Sequence, residues 1–394
     1  NYSLNKRGFM ALNNTELDEI LAIHSKNVGV LDVKADMDVE SRQDLGKAYT
    51  PGVAALSKII EKNPGLKDKY TISGKLVAVV TDGSAVLGLG NIGTAAGLPI
   101  VEGKSLLYKD LANVNAIPVA IDQVPVDEFV QTVKNFSNTF AGIHLEDIAA
   151  PRCFEIEEKL KQTLDIPVYH DDQEGTAIVV LAGLINAAKV VGKNLKDLRI
   201  VINGIGAAGV ATARLLFSIG IKKLTLVDIH GVVKADDSDY NKYQRKLAKD
   251  INLNISGQTL DDVIDQQDVF IGLSDADVLS ADQVKRMSSK PIVFALANPL
   301  PEINPEIAQA AGAEVIATGS AQYPNQVNNV LVFPGLYKGL LTYGIKQVDY
   351  KIEEVVAKAL ASMVENPTSD KIVPGVFEAG VVATVANALK TFAG

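Results

Sequence analysis

Residues 198–228, LRIVINGIGAAGVATARLLFSIGIKKLTLVD, leave few folds open. Residues 198–203, LRIVIN, hold the β-branched apolar run Ile200 to Ile202 and read as a strand. Gly204, Gly206 and Gly209 follow at once, then the helical pattern VATARLLFSIG and a second strand, LTLVD, ending at Asp228, 24 positions beyond Gly204. Strand, glycine turn, helix, strand and acid in that order are the full context of a dinucleotide-binding turn. Gly204 permits the tight turn, Gly206, with Ala207 beside it, lets the backbone approach a pyrophosphate at the helix N-terminus, and Gly209 allows close packing. Asp228 can then bond a ribose hydroxyl.

The rest of the chain repeats the alternation. Strand-like runs at 75–82, 116–122, 140–145 and 166–169, separated by helical stretches, predict a first open sheet, and runs at 269–273, 292–297 and 314–317 extend the second. The expected fold class is α/β, with two domains built on open, mostly parallel sheets, the second of Rossmann type. A length of 394 residues also exceeds one ordinary core. The first domain is placed at 1–162 and the dinucleotide domain, with C-terminal helices, at 163–394. TAIVVLAGLINAAKVV at 176–191 is apolar nearly all round, so it reads as a buried helix joining the two.

Residues 15–26 read as an amphipathic entry helix, and the glycine-dense stretch 83–101 as loop. Two phosphate-motif lookalikes lie in or beside that loop. GLGNIG at 88–93 lacks the unbroken helix of a dinucleotide turn, because Gly97 and Pro99 interrupt it. GLPIVEGKS at 97–105 has one residue too many for a P-loop and carries Glu102 where phosphate would lie.

Two acidic pairs, Glu146-Asp147 and Asp171-Asp172, stand at the ends of strand-like runs. Adjacent like charges repel, and in an open sheet the carboxyl ends of strands carry the functional loops. The pairs are either solvated turns or part of a divalent-cation site. A net charge of −9 argues against nucleic acid and anionic membrane surfaces, both of which need a basic face. The one cysteine, Cys153, excludes an intramolecular disulfide framework and fits a reducing, cytoplasmic setting. Residues 1–10 lack the apolar core of a signal peptide.

The blocks YTPGVA at 49–54, VVTDGSAVLGLGNIG at 79–93, LPIVEGKSLL, GIHLEDIAAPRCFEIE, PVYHDDQEGTAIV, FALANPLPEI and YPNQVNNVLVFPG, together with the glycine turn, closely resemble malic enzymes of the shorter bacterial type. The likeness spans roughly residues 15–390. It implies oxidative decarboxylation of L-malate to pyruvate and CO2 with reduction of NAD or NADP. It assigns Glu146, Asp147 and Asp172 to Mg2+ or Mn2+, with His144 and His170 as neighbours. Lys104 becomes the base toward the C2 hydroxyl, held by Asp171, and Tyr49 the acid of the later enol step; without the likeness, Tyr49 before the Pro51-Gly52 turn reads as a packing aromatic with its hydroxyl outward. Asn298 and Asn329 are assigned to the substrate carboxylate and the nicotinamide edge. Asp228 opposes a 2′-phosphate and so favours NAD. A homodimer, with malate, oxaloacetate and pyruvate as ligands, follows from the same likeness.

Two alternatives stand beside this reading, an oxaloacetate decarboxylase of the same fold and a noncatalytic NAD-binding relative. The chain departs from the family pattern at Glu174, an added carboxylate near the expected metal ligands, and at Ser320-Ala321-Gln322, where Arg-Ser-Asp is usual.

Overall fold

In the computed structural model, which describes residues 14–251 and 255–393, two sheets carry the chain. The expectation for residues 1–10 lies outside the described residues. The first sheet holds β1 (Leu76–Thr81), β2 (Asn115–Ala120), β3 (Gly142–Glu146) and β4 (Val168–His170) in the order β2-β1-β3-β4, all parallel. Strand β4 lies past residue 162 and still belongs to this sheet. The second sheet holds β5 (Ile200–Asn203), β6 (Leu224–Asp228), β7 (Gly231–Val232), β8 (Val269–Gly272), β9 (Ile292–Ala295) and β10 (Val315–Thr318), ordered β10-β9-β8-β5-β6-β7. Only β7 is antiparallel to its neighbour.

Strands β1, β3, β4, β5, β8 and β9 are buried along their whole length. Helices cover both faces of a parallel sheet, which is why these strands read as unbroken apolar runs and not as alternating ones. The second sheet reverses direction between β5 and β8, and the crevice at such a reversal is where open α/β sheets take ligands.

Helix Thr176–Val191 follows the last strand of the first sheet, packs against the second and is buried on nearly every side. The continuous run Asp171–Val191 has the length and apolar composition of a membrane span, but 78% of its apolar window is buried inside the fold. The single carboxamide of helix Thr176–Val191, Asn186, donates to the carbonyls of Ala361 and Ile372 at 2.8 and 2.9 Å. Gly183 lets the helix approach the second sheet, since a Cβ there would lie 3.2 Å from the Phe294 ring.

The structure corrects the loop expectation for 83–101: helix Thr94–Ala112 runs straight through Gly97 and Pro99. Gly97 serves packing, whereas Pro99 lies on the exposed side. Gly97 rests against Gly83, with space for a Cβ only 3.2 Å from the Gly83 Cα. Val101, Ser105, Tyr108 and Ala112, spaced at helical period from Gly97, bury the same side. That burial outweighs the hydrogen bond lost at the proline.

The N-terminal arm is different. Helices Asn14–Lys26, Arg42–Ala48 and Gly52–Lys62 contain no buried residue. The apolar side of the entry helix is open, with Leu21 at 57% and Ile23 at 62% exposure. The backbone N–H of Val30 donates to Glu102 at 2.6 Å and ties the arm to helix Thr94–Ala112.

Phe294 fills the space between β9 and the linking helix without exposure. Phe294→Ala is expected to lower stability by about 3–5 kcal/mol, read as a shifted urea midpoint. An unchanged midpoint would mean that the two layers are not joined through this contact.

Candidate active site

Strand β3 ends at Glu146 and β4 at His170, in parallel register, so the residues just beyond them meet above the same sheet edge. Glu146, Asp147 and Asp172 come together there, each offering a carboxylate oxygen within 4.8 Å of the others. Asp147 takes a left-handed backbone, φ 56°, which a side chain adopts only when its surroundings hold it. Its N–H donates to Asp172 Oδ2 at 2.9 Å, and its carbonyl accepts from Ala85 N at 3.0 Å. These bonds lock the turn and aim its carboxylate inward.

The electrostatics match a cation site. Burial, then the neighbouring Glu146 and Asp172, push the Asp147 carboxyl up to about 9. Burial also drives Glu146 well above its ordinary value. Asp172 is held low: burial opposes its charge, but the donation from His170 Nε2 at 3.0 Å outweighs that. Three oxygen donors that repel one another, two of them buried and Asp172 open to the cleft, fit a hard divalent ion.

The two histidines are fixed by neighbours. His144 Nε2 lies 2.6 Å from Glu146 Oε2, its Nδ1 lies 2.8 Å from the Tyr108 hydroxyl, and burial depresses it to about 3, so the ring is neutral. It could join Glu146 and Asp171 in a second ligand grouping. His170 accepts at Nδ1 from Gln173 Nε2 at 2.6 Å and orients Asp172.

Lys104, on helix Thr94–Ala112, reaches this cluster from the side. Its ammonium donates to Asp171 Oδ2, lies 3.3 Å from Glu146 Oε1 and 3.3 Å from Asn329 Oδ1, and sits 4.7 Å above the Phe333 ring. Burial favours the neutral amine, yet Asp171 and Glu146 outweigh it and hold the pKa above its ordinary value. Asp171 Oδ1 accepts from the Tyr169 hydroxyl at 2.6 Å, so both of its oxygens are occupied.

A cleft of about 460 Å³ runs from Asp172 and Asn329 to the glycine turn. Gly206, Ala207, Ser274 and Asn298 line its far part, at the carboxyl ends of β5, β8 and β9. Gly204 has φ +97°, and a Cβ there would sit 2.5 Å from the Leu273 carbonyl. A Cβ on Gly209 would strike the Gly204 carbonyl. Helix Ala207–Ser218 therefore begins hard against the strand, its first N–H groups facing the cleft. Asp228 ends β6, accepting from Ile229 N at 2.9 Å and Gln244 Nε2 at 3.0 Å.

Lys104, Asp171, Glu146, Asp147, Asp172 and Asn329 thus gather at one end, and Gly204, Gly206, Ala207, Gly209 and Asn298 along the other. Tyr49 does not join them: it caps helix Arg42–Ala48 and is 66% exposed. Glu174 turns away from the acids, binding Lys161 and the His170 N–H at 2.9 Å. Sequence reasoning passed over Tyr169, Tyr108 and Phe333. For Tyr169 a signal existed: it stands two residues before Asp171 and shares its partner.

Two family models match the chain, malic enzyme N-terminal domain over residues 31–161 and malic enzyme NAD-binding domain over 173–392. The chain belongs to the malic enzyme family. It is 45% identical over 363 residues to an NAD-dependent malic enzyme of Geobacillus stearothermophilus, covering 92% of this chain and 76% of the relative. It is 44% identical to the bifunctional malic/malolactic enzyme of Bacillus subtilis, covering 94% and 92%. The crystal structure of a malic enzyme from Pyrococcus horikoshii superposes with a TM-score of 0.92 at 42% identity, covering 96% of this chain and 90% of that one.

A carboxyl that titrates near 3.8 when unfolded and about 9 when folded binds its proton more tightly in the native state. The chelator-treated protein should therefore lose stability as pH rises between those values. Asp147→Asn is expected to flatten that dependence in urea denaturation series at several pH values. A variant as pH-sensitive as the parent would show that Asp147 is not the strained acid.

Proposed function

We propose that the chain is a metal-dependent malic enzyme that converts L-malate and NAD to pyruvate, CO2 and NADH. The carrying observation is that the three-carboxylate cluster and Lys104 stand at one end of a cleft whose other end is a glycine turn and helix N-terminus. A hydroxy acid at the cluster and a nicotinamide over Asn298 then lie side by side.

Glu146, Asp147 and Asp172 would hold Mg2+ or Mn2+, which supplies Lewis acidity toward the substrate oxygens. Lys104 takes the proton of the C2 hydroxyl, and NAD, which the glycine turn and Asn298 would hold, would supply the acceptor for the C2 hydride. Asp171, pinned by Tyr169, keeps the amine aimed. The same acids that hold Lys104 in place also hold its proton, so the base becomes available only when positive charge offsets Glu146. Breaking the C3–C4 bond releases CO2, and proton delivery to C3 of the enol completes pyruvate. Asn329 supports the amine and borders the substrate.

Tyr49 is our candidate for that last proton. Its exposure, and the absence of any buried residue in the three arm helices, fit a homodimer in which the arm covers the partner and Tyr49 enters the partner's cleft. The single buried thiol, Cys153, suits a cytoplasmic setting.

Lys104→Ala should lower kcat about 10²–10⁴-fold and leave NAD binding intact. Mixing inactive Lys104→Ala and Tyr49→Phe chains after co-refolding should restore about one quarter of wild-type activity, because half of the dimers then own one complete site. No restoration would place Tyr49 in its own chain's cleft. NADH and pyruvate should form together from malate with Mn2+; pyruvate from oxaloacetate alone, or no product, would overturn the assignment.

For the coenzyme, the Asp228 carboxylate, oriented by Gln244, opposes a 2′-phosphate. Asp228→Ser is expected to shift the kcat/KM ratio of NAD to NADP by about tenfold toward NADP, worth ~1.4 kcal/mol. An unchanged ratio would remove Asp228 from coenzyme choice.

A further inference from the structure

A second cavity, of about 280 Å³, shares no lining residue with the cleft. Lys161, Glu174, Arg214, Tyr350 and Glu353 form its walls, drawn from helices Arg152–Thr163, Ala207–Ser218 and Tyr350–Ser362 and from the turn Asp171–Gly175. Its volume is at the small end of ligand pockets, about 300 Å³.

The charges in it do not cancel pairwise. Lys161 is already shared, lying 2.6 Å from Glu157 Oε1 and bonded to Glu174. Glu353 is only 4% exposed, yet its carboxylate has no hydrogen bond or ion pair among the described residues. Burial pushes it up to about 8, against the pull of Lys161. The Arg214 guanidinium lies 5.7 Å from the ring centroids of Phe154 and Tyr243 and finds no acceptor among the described residues. Both line the cavity together with Tyr350, whose phenol is raised by burial, lowered by Arg214 and raised by Glu353.

A buried carboxyl without a donor is costly, and the partly exposed Arg214 presents an unpaired guanidinium to the same cavity. Packing alone would be served better by apolar side chains. One small molecule satisfies both at once. We propose that this cavity is an effector site for a small α-amino acid, whose ammonium bonds Glu353 and whose carboxylate takes the Arg214 fork. An isolated amine leaves Arg214 unmet, and an isolated acid leaves Glu353 unmet.

The cavity is wired to the catalytic end. Glu174 receives the His170 N–H at 2.9 Å, Gln173 bridges Glu157 and His170 at 2.6 Å each, and His170 donates to Asp172 at 3.0 Å. A ligand that shifts the Lys161 and Glu174 pair therefore bears on a carboxylate that we assign to the metal, and this coupling rests on that assignment. By linkage, amino acid and Mn2+ then alter each other's affinity by one common factor.

The test is calorimetric titration of the full chain with glycine, L-alanine, L-serine and L-aspartate, beside methylamine and acetate. We expect at least one amino acid to bind with Kd at or below about 1 mM. Methylamine and acetate should not bind, and the affinity should fall about tenfold or more in Glu353→Gln and in Arg214→Gln. Both variants must keep wild-type NADH binding, which shows that they are folded. Binding of methylamine alone, no binding of any amino acid, or binding unaffected by both substitutions overturns the site. Amino acid binding that leaves the Mn2+ affinity unchanged overturns the effector role. Failure of Asp172→Asn to weaken Mn2+ would instead count against the metal assignment, so the two failures are separable.

Discussion

One lysine faces four carboxylates at the carboxyl ends of β3 and β4, and much of the molecule is arranged around that imbalance. Lys104 is claimed by Asp171, with Glu146 close behind, leaving Glu146, Asp147 and Asp172 to repel one another, the first two buried and Asp172 facing the cleft. The fold keeps them together through the parallel register of β3 and β4, the left-handed turn at Asp147 and the bond from its N–H to Asp172. Such an arrangement costs stability, and enzymes keep such costs where a ligand or transition state repays them.

The surrounding side chains hold this charge in position without neutralising it. Tyr169 pins Asp171, Tyr108 sets the His144 tautomer, and His144 in turn orients Glu146. Gln173 does the same for His170 and, through it, Asp172. The helix that carries Gln173 and Asp172 continues into Thr176–Val191, the buried rod packed against the second sheet. Cluster and dinucleotide turn are thereby spaced by one rigid element.

Much of this was legible in the amino-acid order, for identifiable reasons. Strands buried on both faces give unbroken apolar runs, so β1, β3 and β5 could be placed to within about two residues, and with them the acids at their ends. The turn at Gly204 carried its own context. What failed depended on partners distant in sequence. Gly97 and Pro99 suggested a break because the contact with Gly83 that explains one of them is invisible locally. Glu174 looked like an extra metal-site acid because Lys161, its partner, lies on another helix. Tyr169 and Phe333 sit in apolar stretches where an aromatic reads as core. Tyr49 could be read from its motif but not located, since an arm without buried residues takes its position from whatever covers it.

The central claim is that the charge left over by Lys104 is completed by one divalent cation. The most direct measurement is a Mn2+ titration of the full chain, without substrate, followed by the electron paramagnetic resonance signal of free Mn2+. One ion should bind per chain, with affinity about 10–100-fold weaker in Asp172→Asn. Binding of no ion, or equal affinity in the variant, would contradict the account.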